Sequence, residues 1–118
     1  MIGSVSFVTI DANDPERLAA FWCEVLGTEV ADRVDGGRFV FLGRVAGTML
    51  CFQRVPEPKA GKNRVHLDVK VEDLETATER IVALGATWDG FDRAIDGDRW
   101  RTLQDPEGNE FDIFVPSG

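Results

Sequence analysis

The amino-acid sequence predicts an α+β fold of two βαβββ modules in tandem, with helices outside a curled mixed sheet that surrounds a shared cavity. Three observations lead to this prediction. In residues 65–71 apolar side chains alternate, and in residues 74–84 they recur at helical spacing, as in a half-buried strand followed by an amphipathic helix. The order strand, helix and three strands then occurs twice, and the two copies align with each other.

Length and charge limit the class of protein. The 118 residues suffice for a single domain, with module one at 1–55, a linker at 56–63 and module two at 64–118. A net charge of −8 disfavours nucleic acid and anionic membranes as partners. Because no signal segment precedes the first strand and the two cysteines imply no disulfide framework, we expect a cytoplasmic protein with reduced thiols.

Module one begins with a predicted strand at residues 5–10. A helix should follow, because Asp14 suits the N-cap, Pro15 suits the first turn and Gly27 ends a wide apolar stripe. Glycine-containing turns then separate three predicted strands, at residues 29–33, 38–42 and 48–55.

Module two repeats this order after a linker without apolar periodicity. Asp73 is the predicted N-cap of a helix that ends at Gly85, and it follows the strand at residues 65–71. Further strands are predicted at residues 86–89, 100–103 and 110–115. We interpret the charged segment 89–99 as a solvated loop that can act as a lid over a pocket.

The internal repeat assigns a counterpart to each candidate site residue. A shift of 59 residues aligns Phe7 with His66, the only histidine, and a shift of 61 aligns Cys51 with Asp112. One module alone would leave a face of its sheet uncovered, so we expect the two modules to pack side by side.

Strand alternation predicts an aromatic face opposite the helices. Its aromatic members are Phe7, Phe39, Phe41, Trp100 and Phe114, and its few polar members are His66 and Asp112. An apolar cleft with sparse polar groups is typical of a small-molecule site. The alternative is that the rings fill the interior of a closed sheet.

Each polar candidate has a functional and a structural interpretation. His66 is either a metal ligand or general base, or a cavity histidine paired with Asp112 or Asp68. Cys51 has no neighbouring group that would lower the pKa of its thiol, which argues against a nucleophile. Residues 105–109, DPEGN, are typical of a tight turn and are interpreted as structural. Asp68 and Lys70 are interpreted as an ion pair or rim contact.

Three segments, DPERLAAFWCEVLG, RVHLDVKVEDL and LQDPEGNEFDIF, resemble the vicinal oxygen chelate superfamily of glyoxalase I, bleomycin-resistance proteins and extradiol dioxygenases. The resemblance covers nearly the whole chain and implies a homodimer. In metal-dependent members, four strand positions converge on one metal; here these positions hold Phe7, Cys51, His66 and Asp112. Since Phe7 has no lone pair, we expect no cofactor, and any divalent metal would be held by His66, Asp112 and Cys51.

These observations support two main hypotheses. The first is a protein that binds a small, largely apolar or aromatic molecule, as in resistance by sequestration, with Cys51 and the seven residues of the aromatic face as ligand contacts. The second is a metal-dependent lyase, isomerase or dioxygenase in which His66 and Asp112 are catalytic. A metal-free isomerase or hydrolase using His66 and Asp112 alone is a third alternative.

Overall fold

The computed structural model describes residues 2–116, which form two compact units divided between Pro58 and Lys59. Each unit contains one helix and one mixed, open sheet, as the repeat predicts. The cavity predicted between the two modules concerns the relation of the units and stays a prediction. Within residues 2–116, neither helix has the length and apolar character needed to cross a membrane.

Unit one has one helix and four strands. They are β1 (Val8–Ala12), α1 (Pro15–Leu26), β2 (Val30–Val34), β3 (Phe39–Leu42) and β4 (Leu50–Arg54). The sheet order is β1-β4-β3-β2, with β1 parallel to β4 and the other neighbours antiparallel. The predicted helix ends are confirmed, because the Asp14 carboxylate accepts the Arg17 N–H at 3.2 Å and Gly27 adopts a φ of 67°.

Helix α1 covers one face of this sheet. Its residues Leu18, Phe21 and Trp22 are almost fully buried, and the helix packs on β3 and β4. On β3, Val40 and Leu42 are buried while Phe39 and Phe41 on the other face are only partly buried. The predicted alternation of β3 is therefore confirmed.

Unit two repeats this topology. Its elements are β5 (Asp68–Lys70), α2 (Leu74–Ala83), β6 (Thr87–Trp88), β7 (Arg93–Ile95), β8 (Asp98–Gln104) and β9 (Glu110–Val115). The sheet order is β5-β9-β8-β6, β7 also pairs with β8, and β5 is parallel to β9. The pair Asp68–Asp112 occupies the place that Thr9–Cys51 occupies in unit one. Shifts of 59 and 61 residues relate these pairs, so the strand register confirms the repeat.

Both first strands are shorter than predicted. Strand β1 begins at Val8 and β5 at Asp68, each three residues after the predicted start. Val5 and Val65 are 88% and 75% exposed, so neither side chain packs in a core, although the apolar alternation includes both. His66 consequently lies just before β5, and the Asp112 N–H bonds to the Leu67 carbonyl at 2.9 Å.

The interpretation of residues 89–99 as a loop is wrong for its second half. Strand β7 pairs with the start of β8, which begins at Asp98 instead of residue 100. The two-residue turn between them consists of Asp96 and Gly97, with φ values of 51° and 87°. Positive φ at both positions is typical of a hairpin turn, and Asp-Gly favours it.

Candidate functional site

Unit two contains a surface cavity of about 530 Å³. Four of the predicted site residues line it: His66, Trp100, Asp112 and Phe114. The other lining residues are Asp68, Pro116 and the β7–β8 hairpin residues Ile95, Asp96, Asp98 and Arg99. The hairpin therefore borders the candidate site directly.

Asp112 is positioned by its strand and by one hydrogen bond. Its neighbours on β9, Phe111 and Ile113, are buried on the opposite face. From β8, the Thr102 hydroxyl donates to Asp112 Oδ1 at 2.7 Å. The second oxygen, Oδ2, lies 3.3 Å from His66 Nε2. Thr102 therefore orients the carboxylate, and Oδ2 remains available to the cavity.

His66 Nε2 lies between two carboxylates. It is 3.2 Å from Asp68 Oδ1 as well as 3.3 Å from Asp112 Oδ2. Two carboxylate oxygens beside one imidazole nitrogen concentrate negative charge, which a proton on Nε2 or a bound cation would balance. The side chain of Asp112 is 16% exposed, whereas those of His66 and Asp68 are 42% and 58% exposed, so the cluster is open to solvent.

These three side chains have the donor set of a divalent-cation site. Each offers one ligand atom, and the three atoms lie within 4.8 Å of one another. In a tetrahedral site with ligand distances of about 2.0 Å, neighbouring ligand atoms are about 3.3 Å apart, close to the two nitrogen–oxygen distances in this cluster. These distances are compatible with a shared divalent cation, with Asp68 as a third ligand, and equally with ion pairs between the imidazole and the two carboxylates.

The sequence predicts Asp68 as a partner of His66 or a rim contact, and only its place among the candidate metal ligands was missed, although its spacing of two residues from His66 places both on one face. Cys51, the third ligand in the set implied by the resemblance, belongs to unit one. Its place in a joint site with His66 stays a prediction.

The remaining predicted site residues meet within unit one. Phe7 contacts Phe41 edge to face, with ring centroids 5.2 Å apart, and Phe41 pairs with Cys51 across the sheet. Phe39 lies under the guanidinium of Arg38, at 5.4 Å from the ring centroid. Cys51 is 1% exposed, and burial raises the pKa of its thiol despite a hydrogen bond with Thr9. Burial therefore favours the neutral thiol over the thiolate.

The cavity of unit two combines an aromatic wall with acidic charge. Trp100 and Phe114 are directly paired across β8 and β9. Four aspartates line the cavity, against one arginine, Arg99. The Arg99 guanidinium is itself 3.4 Å from Glu75 and 3.9 Å from Asp92. The electrostatic field therefore favours a positively charged or hydrogen-bond-donating occupant.

The DPEGN segment forms the turn between β8 and β9. Asp105 is 3% exposed, and its carboxylate accepts the backbone N–H groups of Glu107 and Asn109 at 2.9 and 3.0 Å. Gly108 has a φ of 85°, which a side chain would strain. These contacts agree with the structural interpretation of the segment.

The sequence model of the glyoxalase-like domain family matches residues 7–114. The chain belongs to this family. The match spans both units of the glyoxalase-like protein, including the acidic cluster at His66. A search of curated proteins found no match to the chain.

Solved structures share the glyoxalase-like fold. A glyoxalase/bleomycin resistance protein/dioxygenase family enzyme from Burkholderia phytofirmans PsJN has a TM-score of 0.78 and 21% identity, over 93% of this chain and 96% of that chain. A mutant of the fosfomycin resistance protein FosX from Listeria monocytogenes, complexed with Mn(II) and 1S,2S-dihydroxypropylphosphonic acid, has a TM-score of 0.79 and 22% identity, over 97% and 90%. Lactoylglutathione lyase from Agrobacterium tumefaciens has a TM-score of 0.69 and 20% identity, over 95% and 92%. At these identities the likeness concerns the fold.

Proposed function

We propose that this glyoxalase-like protein binds a small molecule in the cavity of unit two. The observation that carries the proposal is the juxtaposition of the Trp100–Phe114 pair with the acidic cluster of His66, Asp68 and Asp112. The aromatic pair would hold a flat apolar group, and the carboxylates would hold an amine or another hydrogen-bond donor. Binding of this kind suffices for sequestration, as in resistance proteins, and requires no reaction.

A thermal-shift experiment with matched ligands tests this proposal. Benzylamine-type and larger aromatic amines should raise the melting temperature, because a ligand that binds only the folded state stabilises it. The corresponding aromatic carboxylates should give a smaller shift or none. Trp100→Ala and Asp112→Asn should remove the amine effect, whereas Phe91→Ala, at an exposed ring outside the cavity lining, should keep it. Equal shifts for amines and carboxylates would contradict the proposed charge preference.

A second candidate function is a metal-dependent enzyme, a lyase, isomerase or dioxygenase. Its supporting observation is the convergence of the ligand atoms of His66, Asp68 and Asp112. A divalent metal there would supply Lewis-acid polarisation of substrate oxygens. Asp112 would be oriented by Thr102, and the aromatic pair would position the apolar part of the substrate beside it. The FosX mutant, which has a similar fold, was solved in complex with Mn(II), so Mn(II) is the first metal to test.

Metal binding is measured directly by elemental analysis of protein purified without chelator and by the paramagnetic resonance signal of added Mn(II). Under the second candidate, His66→Ala and Asp68→Asn should lose the metal. Asp96→Asn is the matched control, because Asp96 lines the same cavity outside the three-residue cluster and asparagine tolerates its positive φ. Metal loss in Asp96→Asn equal to that in Asp68→Asn would contradict this ligand set.

The family resemblance also leads us to propose a homodimer, which light scattering after size-exclusion chromatography would measure. A molar mass near that of one 13.1 kDa chain would contradict it.

A further inference from the structure

Two arginines oppose each other at the end of the β3–β4 pair in unit one. The Arg54 N–H donates to the Arg38 carbonyl at 2.8 Å, one step beyond the paired residues Phe39 and Gln53. Residues directly opposite on an antiparallel pair share a face, and like charges there repel each other. The pair is therefore unfavourable unless a negative group lies beside it.

Each guanidinium has an acidic neighbour without a hydrogen bond to it: Asp35 lies beside Arg38, and the charge of Arg54 helps to lower the pKa of the Glu16 carboxyl. Arg38 Nη1 lies 3.8 Å from Asp35 Oδ2, beyond hydrogen-bond distance, and Arg54 Nη2 reaches the Gly37 carbonyl at 3.5 Å. Arg33, on β2, differs because its guanidinium donates two hydrogen bonds to Glu16, at 2.6 and 3.1 Å. Since each guanidinium has five N–H donors, Arg38 and Arg54 retain donors for a ligand.

Both arginines line a cavity of about 640 Å³ in unit one. Its other lining residues are Asn13, Asp35, Val55 and Pro56. Two guanidiniums face one carboxylate here, so the cavity is positive although the chain carries a net charge of −8. This charge is opposite to that of the cavity in unit two. The Asn13 amide donates to the carbonyls of Val55 and Glu57, which holds the chain at the cavity edge.

We propose that Arg38 and Arg54 form an anion-binding site for a ligand with several oxygens, such as a phosphate group or a polycarboxylate. Planar guanidinium groups match such oxyanions with paired hydrogen bonds. One oxyanion between the two guanidiniums would replace their repulsion with two charge-assisted contacts. The site lies within unit one and is independent of the function proposed for the cavity in unit two.

Calorimetric titration of the full chain with inorganic phosphate, at constant ionic strength with chloride as the comparison salt, tests this inference. We expect saturable binding that Arg38→Gln and Arg54→Gln each weaken about tenfold. Arg44→Gln is the matched control, because Arg44 is an exposed arginine of unit one outside the cavity and should leave binding unchanged. Arg38→Lys keeps the charge but lacks the planar fork, so binding should again weaken. A parallel titration with citrate distinguishes a phosphate from a polycarboxylate ligand.

Three outcomes would overturn the inference. The first is the absence of saturable binding of either anion, and the second is equal weakening in Arg44→Gln and Arg38→Gln, which would indicate general screening. The third is unchanged binding in Arg38→Lys, which would show that the guanidinium geometry is not used. Circular dichroism of each variant verifies that the fold is intact before the titration.

Discussion

Replacement of Arg101 by methionine should destabilise unit two more than the same change at Arg99. The Arg101 side chain is 7% exposed and lies 4.0 Å from the centroid of the Trp88 ring. It donates to Asp92 at 2.7 Å and to the Thr78 hydroxyl at 2.9 Å, and it approaches Glu75 at 3.4 Å. Arg101 thereby joins β8 to α2 and to the segment between β6 and β7.

The expected loss of unfolding free energy in Arg101→Met is the sum of the contacts that each partner of Arg101 loses. Asp92 and Glu75 are more than half exposed, so water replaces their lost contacts, and each accounts for about 1 kcal/mol or less. Thr78 is buried, but its hydroxyl also donates to the Leu74 carbonyl, so it is not left without a partner. The contact with Trp88 contributes about 1 kcal/mol. Methionine retains part of the packing of the arginine stem, and the expected total is therefore at most about 3 kcal/mol.

Urea denaturation followed by circular dichroism provides the assay, with Arg99→Met as the matched control. Arg99 approaches the same two carboxylates, but its side chain is 52% exposed, so its replacement should cost less than about 1 kcal/mol. At about 4 °C per kcal/mol, Arg101→Met should lower the melting temperature by at most roughly 12 °C. Equal losses in the two variants would refute the assignment of the difference to burial and to the Trp88 contact.

Three further predictions concern single contacts of unit two. Thr102→Val should cost about 1 kcal/mol of unfolding free energy and weaken ligand or cation binding at Asp112, whereas Thr102→Ser should preserve both; equal binding in the two variants would contradict the orienting role. The pKa of Glu110 lies below its ordinary value of 4.5. Burial raises this pKa, but the hydrogen bonds from Lys59 and the Asn63 backbone lower it by more. A lowered folded-state pKa contributes stability that is present above pH 4.5 and is lost as the pH falls through the folded value, so an acid titration of Lys59→Met should show a smaller loss than wild type. Asp105→Ala leaves turn N–H groups without their acceptor and should cost about 2 kcal/mol in urea denaturation, and a cost near zero would count against the structural role of the turn.

The elements that the sequence predicted well have local signals that agree with the packing. Helix α1 has a cap at Asp14, an apolar stripe and a terminal Gly27, and all three have the expected roles. The repeat was equally accessible, because pairing in β-strands preserves the alternation that aligned Cys51 with Asp112. The family resemblance rested on segments that include Asp14, Gly27 and Asp112.

The elements that were missed depend on contacts between segments. Alternation continues through Val65, but a strand also requires a partner and a core, which this residue lacks. In the β7–β8 hairpin the charged residues suggested a solvated loop, and the Asp-Gly turn signal at residues 96 and 97 was not used. The pairing of His66 with Asp112 or Asp68 was predicted, but its simultaneous approach to both carboxylates depends on the side-chain conformation of a residue just before the strand, which periodicity does not determine.

The matching strand pairs of the two units have equivalent backbone pairing but different side chains. Thr9–Cys51 and Asp68–Asp112 are held by equivalent parallel ladders in the two sheets, yet one pair is a thiol beside a hydroxyl and the other is two carboxylates. Because the backbone hydrogen bonds at both places are independent of the side chains, the repeated scaffold accommodates charged side chains in one unit and uncharged ones in the other. A comparison of the two units therefore shows which side chains these positions tolerate while the strand topology stays the same.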